Sequence, residues 1–144
     1  MLNALPLSRN AQQSATLRVY EARSTMARIL LAEDDDNMRI FLSRALRRAG
    51  HEVHAVGDGD AALAWVSDRP VDLLLADVVM PGIDGIELAR RANDLWPDLR
   101  VMFITGFAAV ALRQRSVTRR EAAVLAKPFH LRQLVAEIDR FLAA

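Results

Sequence analysis

From Arg28 onward, short apolar runs alternate with longer segments whose apolar residues recur at helical spacing, and this alternation restricts the fold more than any other feature of the chain. Ile29, Leu30, Leu31 and Ala32 form an uninterrupted apolar run, the pattern of a strand buried on both faces. Met38, Phe41, Leu42, Ala45, Leu46 and Ala49 follow at helical spacing, and Gly50 supplies a helix stop. The series then repeats. Strands are predicted over 53–56, 71–76, 101–104 and 122–126. Helices are predicted over 61–66, within 83–96 and, more weakly, over 108–115. On a last helix Leu131, Leu134, Val135, Ile138, Phe141 and Leu142 share one face. Five strands alternating with five helices predict an α/β fold, a doubly wound parallel sheet with helices on both faces. Ligands of such sheets sit beyond the carboxyl ends of the strands.

The chain of 144 residues fits one domain of ordinary size. Residues 1–25 mix Ser, Gln, Asn and Arg without a clean period and read as a disordered extension, with a short helical turn at 16–22 at most. Met26 stands directly before the first strand and offers an alternative start, in which case the extension is an artefact and the folded unit is 26–144. There is no cysteine, which excludes disulfides, thiolate catalysis and cysteine-ligated zinc. A net charge of +1 gives no electrostatic case for nucleic acid or an anionic membrane as partner. No apolar run approaches the ~18–20 residues that span a bilayer. The first residues also lack the basic-then-apolar pattern of a signal peptide. A cytoplasmic location is the expectation.

The strand ends carry the chemistry. Glu33-Asp34-Asp35-Asp36 follows the first strand, Asp77 the third, Thr105 the fourth and Lys127-Pro128 the fifth. An acidic run is commonly a solvated turn or a helix start, and Asp36 is the expected cap of the first helix. That still leaves Glu33, Asp34 and Asp77 at the ends of buried strands, where an unpaired carboxylate is expensive. Clustered carboxylates raise one another's pKa, and a hard divalent cation with oxygen ligands, Mg²⁺ above all, resolves the conflict. Asp72 is the rival nucleophile, but it opens its strand and so belongs at the opposite edge. Of 19 basic residues 18 are Arg, so the single Lys127 stands out as a place where a compact point charge is needed. A carboxylate can accept a phosphoryl group as an aspartyl phosphate, and an ammonium and a hydroxyl can neutralise its oxygens.

The segments ILLAEDD at 29–35, DVVMPG at 77–82, FITG at 103–106 and AKPF at 126–129 resemble, in order and spacing, the receiver domains of two-component response regulators. The resemblance covers about four fifths of the chain, from Ala27 to about Leu142. It implies a flavodoxin-like sheet in the order 2-1-3-4-5. It also implies Asp77 as the phosphoacceptor, Thr105 as the switch hydroxyl, and Lys127 as the lysine that precedes a cis bond to Pro128. The implied Mg²⁺ ligands are Glu33, Asp34, Asp77 and the backbone carbonyl of Val79, with Asp34 the more direct of the acidic pair. One departure is that Val124 stands where many members place an aromatic switch residue, so Phe107 is the substitute candidate. The implied donor is a histidine kinase or histidine phosphotransferase.

The chain is also similar to single-domain members of the family from alphaproteobacterial cell-cycle signalling, through MARILLAEDD, MFITGF and the Ala-Ala end. That likeness implies that the unphosphorylated form helps the ClpXP protease select substrates. Leu142-Ala143-Ala144 resembles a degradation signal read by ClpX, although many chains end in Ala. Nothing beyond residue 141 leaves room for a DNA-binding or enzymatic output domain, so neither direct DNA binding nor an enzymatic activity beyond self-phosphorylation and dephosphorylation is expected. Arg113, Arg115, Arg119 and Arg120 form either a solvated basic face or a docking surface for an acidic partner. Two rival readings are a pseudo-receiver that is never phosphorylated, which the intact Asp77, Thr105 and Lys127 disfavour, and an aspartyl-phosphate phosphatase. The phosphatase would keep its nucleophile after the first strand and carry a substrate cap.

Overall fold

The computed structural model describes residues 26–106 and 122–144. Its strands are β1 (Arg28–Ala32), β2 (Glu52–Val56), β3 (Leu73–Asp77), β4 (Arg100–Thr105) and β5 (Ala123–Ala126). They pair in parallel in the order β2-β1-β3-β4-β5, the order expected. The described helices are α1 (Asp36–Arg48), α2 (Gly59–Val66), α3 (Gly85–Leu95) and α4 (Leu131–Ala143). The helix expected over 108–115, Phe107, the four arginines at 113–120 and the extension at 1–25 lie outside the described residues.

Side chains of a strand alternate between faces, and both faces here are covered. Leu30, Ala32, Leu74, Ala76 and Phe103 pack under Ala62 and Val66 of α2 and Leu88, Ala89 and Ala92 of α3. Ile29, Leu31, Leu73, Leu75, Met102 and Ile104 pack under Leu42 and Leu46 of α1 and Leu134 and Ile138 of α4. Each fully buried Leu of these layers contributes about 1.5–3 kcal/mol relative to exposure.

Three expectations are corrected. The cap of α1 is Asp35, not Asp36: its backbone is extended (φ −72°, ψ 116°) and its Oδ1 accepts the Met38 N–H at 2.8 Å. Asp36 instead enters the first turn and pairs with Arg39 at 2.6 Å. Phe41 is not in the buried stripe of α1 but is 59% exposed beside exposed Ile40, because the helix turns Leu42, Ser43 and Leu46 inward and so carries their neighbours out. On α4, Leu134 and Ile138 are buried and Val135, Phe141 and Leu142 half-buried, while Leu131 is exposed.

Strand β3 starts at Leu73, two residues later than expected, although the Asp72 N–H still donates to the Arg28 carbonyl at 2.9 Å and the Asp72 carboxylate accepts the Arg28 N–H at 2.7 Å. The helices that follow β1, β2 and β3 open on Asp35, Asp58 and Asp84, each accepting a first-turn N–H at 2.7–2.8 Å. Such caps contribute about 1 kcal/mol each, and they aim three positive helix ends at the carboxyl edge of the sheet. Among the described residues no helix is long and apolar enough to cross a membrane.

On the edge strand β2, His54 stacks on Trp65 of α2, with ring centroids 3.4 Å apart, and the Arg69 guanidinium lies 4.1 Å from the Trp65 ring centroid. Burial holds the His54 imidazole below its ordinary value, and the charges of Arg69 and Arg47 add to that. The unfolded chain therefore takes up this proton first on acidification. The stability contributed by neutral His54 is complete above its ordinary value of 6.5 and declines as the pH falls below it. Tryptophan fluorescence should show a transition with its midpoint below 6.5 that is missing in His54→Gln. A His54-dependent midpoint at or above that value would contradict the stack as described.

Candidate functional site

All five strands run the same way, so their carboxyl ends share one edge of the sheet. Asp77 is the last residue of β3, Thr105 the last of β4, Glu33 follows β1 and Lys127 follows β5. The register pairs Ala32 with Ala76, Asp77 with Ile104 and Thr105 with Ala126, which brings these ends level. Asp72 lies at the other edge, as its strand-opening position predicts.

The geometry at this edge is specific. The Lys127 ammonium donates to Asp77 Oδ2 at 2.8 Å and to Glu33 Oε2 at 3.1 Å. The other oxygen of each carboxylate is also held: Asp77 Oδ1 accepts the Val79 N–H at 3.1 Å, and Glu33 Oε1 accepts the Asp35 N–H at 3.2 Å. The Lys127 N–H donates to the Thr105 carbonyl at 2.8 Å, and the Lys127–Pro128 peptide bond is cis. Glu33, Asp77 and Thr105 are buried, whereas Asp34 and Val79 are exposed.

The electrostatics follow from this burial. Desolvation pushes the Glu33 carboxyl above its ordinary value. The Asp35 N–H opposes that push, the Asp77 charge adds to it, and Lys127 pulls the other way. Burial alone would depress the Lys127 ammonium, but its hydrogen bonds to Asp77 and Glu33 and the charges of both hold it above its ordinary value. Lys127 thus stays charged.

Carboxylate oxygens of Glu33, Asp34 and Asp77 all lie within 4.8 Å of one another. Three carboxylates against one ammonium leave an excess of negative charge, the donors are all oxygen, and Asp34 opens to water. This set fits a hard divalent cation that keeps part of its hydration shell, as Mg²⁺ does. Two cavities lined by described residues, of about 410 and 260 Å³, contain none of these residues. The smaller is lined by His54, Trp65 and Arg69, and the larger by Asp72, Trp96 and Arg100.

Residues 29–139 match the response regulator receiver domain. The chain belongs to that family. A curated relative, the response regulator receiver protein CpdR of Brucella abortus, is 57% identical over 119 residues, covering 83% of this chain and 99% of CpdR. Among solved structures, a CheY-like receiver domain of Methanospirillum hungatei superposes with a TM-score of 0.76 at 27% identity, covering 82% of this chain and 94% of that one. The receiver domain of the hybrid histidine kinase CckA superposes with a TM-score of 0.67 at 34% identity, covering 80% and 98%. The sheet order β2-β1-β3-β4-β5 is therefore that of a receiver.

Two residues of this receiver's site were not singled out from the sequence. Gly85 opens α3 with its N–H on the Val78 carbonyl at 2.9 Å, and a methyl group there would meet the Asp77 carbonyl oxygen at 2.1 Å. The Asp84-Gly85 dipeptide after Pro81-Gly82 was the available signal. Arg39 donates to the Glu33 carbonyl at 2.9 Å. Val124, at the position of the aromatic switch in many members, is 39% exposed.

Proposed function

We propose that the chain accepts a phosphoryl group on a carboxylate oxygen of Asp77 and that the aspartyl phosphate switches its partners. The observation that carries this reading is the Lys127 ammonium shared between Asp77 and Glu33 beside Asp34. An Asp77 oxygen attacks phosphorus as the P–N bond of a phosphohistidine breaks, and the departing imidazole takes a proton from solvent. Lys127 then pairs with a phosphoryl oxygen, and the Thr105 hydroxyl donates to another. Glu33, Asp34, Asp77 and the Val79 carbonyl would hold Mg²⁺, which when bound neutralises charge on the transferring group. Receiver domains accept phosphate from histidine kinases, and the donor here is a histidine kinase or phosphotransferase. The chain catalyses only its own phosphorylation and dephosphorylation, acts in the cytoplasm and binds no DNA directly. The identity to CpdR supports placing it on that single-domain branch, and with it the role of an unphosphorylated adaptor for the ClpXP protease.

The test is intact mass after incubation with acetyl phosphate and Mg²⁺. The native chain should gain one phosphoryl group, and neither Asp77→Ala nor the native chain in EDTA should gain any. Purified ClpX should then bind the untreated chain in preference to the phosphorylated one. No gain in the folded native chain would favour a non-phosphorylated interaction module, and hydrolysis of an added phosphomonoester would favour the phosphatase.

A further inference from the structure

We infer that Arg39 is a positioning residue that sets the acidic pair for its cation, an inference that rests on the metal-binding part of the function proposed above. Arg39 lies in the first turns of α1, three quarters buried along its side chain. Its Nη1 donates to the Glu33 carbonyl at 2.9 Å, and its Nη2 pairs with Asp36 at 2.6 Å. The guanidinium also lies against the loop after β2, where a methyl group on Gly57 would meet Nη1 at 3.2 Å. The Glu33 N–H meanwhile donates to the Val56 carbonyl of β2 at 3.1 Å. The backbone of Glu33 is therefore held on both sides, by the strand through its N–H and by Arg39 through its C=O. The held carbonyl belongs to the peptide that leads directly into Asp34, the exposed member of the cluster. A residue whose own carboxylate is free to move in water gains its direction from the peptide that carries it.

Arg39 also carries a positive charge close to an acidic cluster, and the two roles predict opposite effects on a cation. Removing a charge alone would tighten divalent binding by relieving repulsion. Removing the clamp would weaken it, because groups that orient metal ligands typically contribute 10–100-fold in affinity. Lysine separates the two. It keeps the charge but lacks the planar fork that bonds Glu33 and Asp36 together.

The measurement is Mg²⁺ titration of the ¹⁵N-labelled chain, followed by amide shifts without any phosphodonor, for the native protein, Arg39→Ala and Arg39→Lys. Weakening on the order of tenfold in both variants is expected. Tighter binding in Arg39→Ala with Arg39→Lys unchanged would assign the residue a charge effect only. Unchanged affinity in both, whatever happens to thermal stability, would reduce Arg39 to a structural role. Either result overturns the inference. Failure of the native chain to bind Mg²⁺ would remove the metal reading and this inference with it. Mg²⁺ binding without phosphorylation would remove only the phosphoacceptor reading and leave Arg39 in place.

Discussion

Lys127→Met is expected to destabilise the fold by about 2–3 kcal/mol in EDTA and to slow phosphorylation by acetyl phosphate by about 100-fold or more. The stability loss comes from what the substitution leaves behind. The Glu33 side chain has no solvent exposure and that of Asp77 is 10% exposed, and both spend an oxygen on the same ammonium. Removing one partner of a buried ion pair typically costs about 3–5 kcal/mol, because the remaining charge has neither water nor counter-ion. Lys127 is itself 23% exposed, so the figure is discounted to just below that range for solvent access. The double variant Lys127→Met/Asp77→Asn separates the causes. Removing the orphaned charge should recover at least half of the lost stability, and Mg²⁺ should rescue the single variant in part but not the double. Urea unfolding in EDTA and in Mg²⁺ measures all of these. A Lys127→Met chain as stable as the native one would mean that the bridge seen here contributes nothing net.

Much of this architecture is written in residues whose misplacement is expensive. An apolar run such as Leu73 to Ala76 can only be buried, and a carboxylate directly after it demands a partner, so the sheet and the cluster of Glu33, Asp34, Asp77 and Lys127 could be read along the chain. What could not be read turns on choices between neighbours or on distant loops. Four acidic residues in a row offer several caps of similar quality, and the extended backbone at Asp35 makes the choice. Helical spacing names a face only to within one residue, which is why Phe41 passed for a core position. Arg39 is one of 18 arginines, and nothing in the sequence marks it as the one whose guanidinium reaches the Glu33 carbonyl. The start of β3 at Leu73 rather than Val71 was not legible either, since the Arg28 backbone that meets Asp72 lies 44 positions away.

Gly85→Ala tests how tightly the helix start is fitted to the strand that carries Asp77, the proposed phosphoacceptor. On helix propensity alone the change is favourable, since Ala is better than Gly by about 1 kcal/mol in a helix interior. The contact runs the other way. The new methyl group would lie 2.1 Å from the Asp77 carbonyl oxygen, 2.9 Å from its carbon and 3.0 Å from the Val78 Cα. These are main-chain atoms at the end of a fully buried strand paired on both sides, so no rotamer change relieves the clash. Overpacking of this kind costs about 1–3 kcal/mol and sometimes more, which outweighs the propensity gain. A net loss of about 2 kcal/mol is expected. The strain should not stay local, because the chain it displaces carries Asp77 and then Val79, whose N–H holds Asp77 Oδ1. The rate of phosphorylation, corrected for the folded fraction, should therefore fall by more than about tenfold, since small misplacements of reacting groups are costly. A stable Gly85→Ala chain phosphorylated at the native rate would show that α3 can shift away from the site without disturbing it. A stability loss with an unchanged rate would show that the strain is absorbed in the helix and never reaches Asp77.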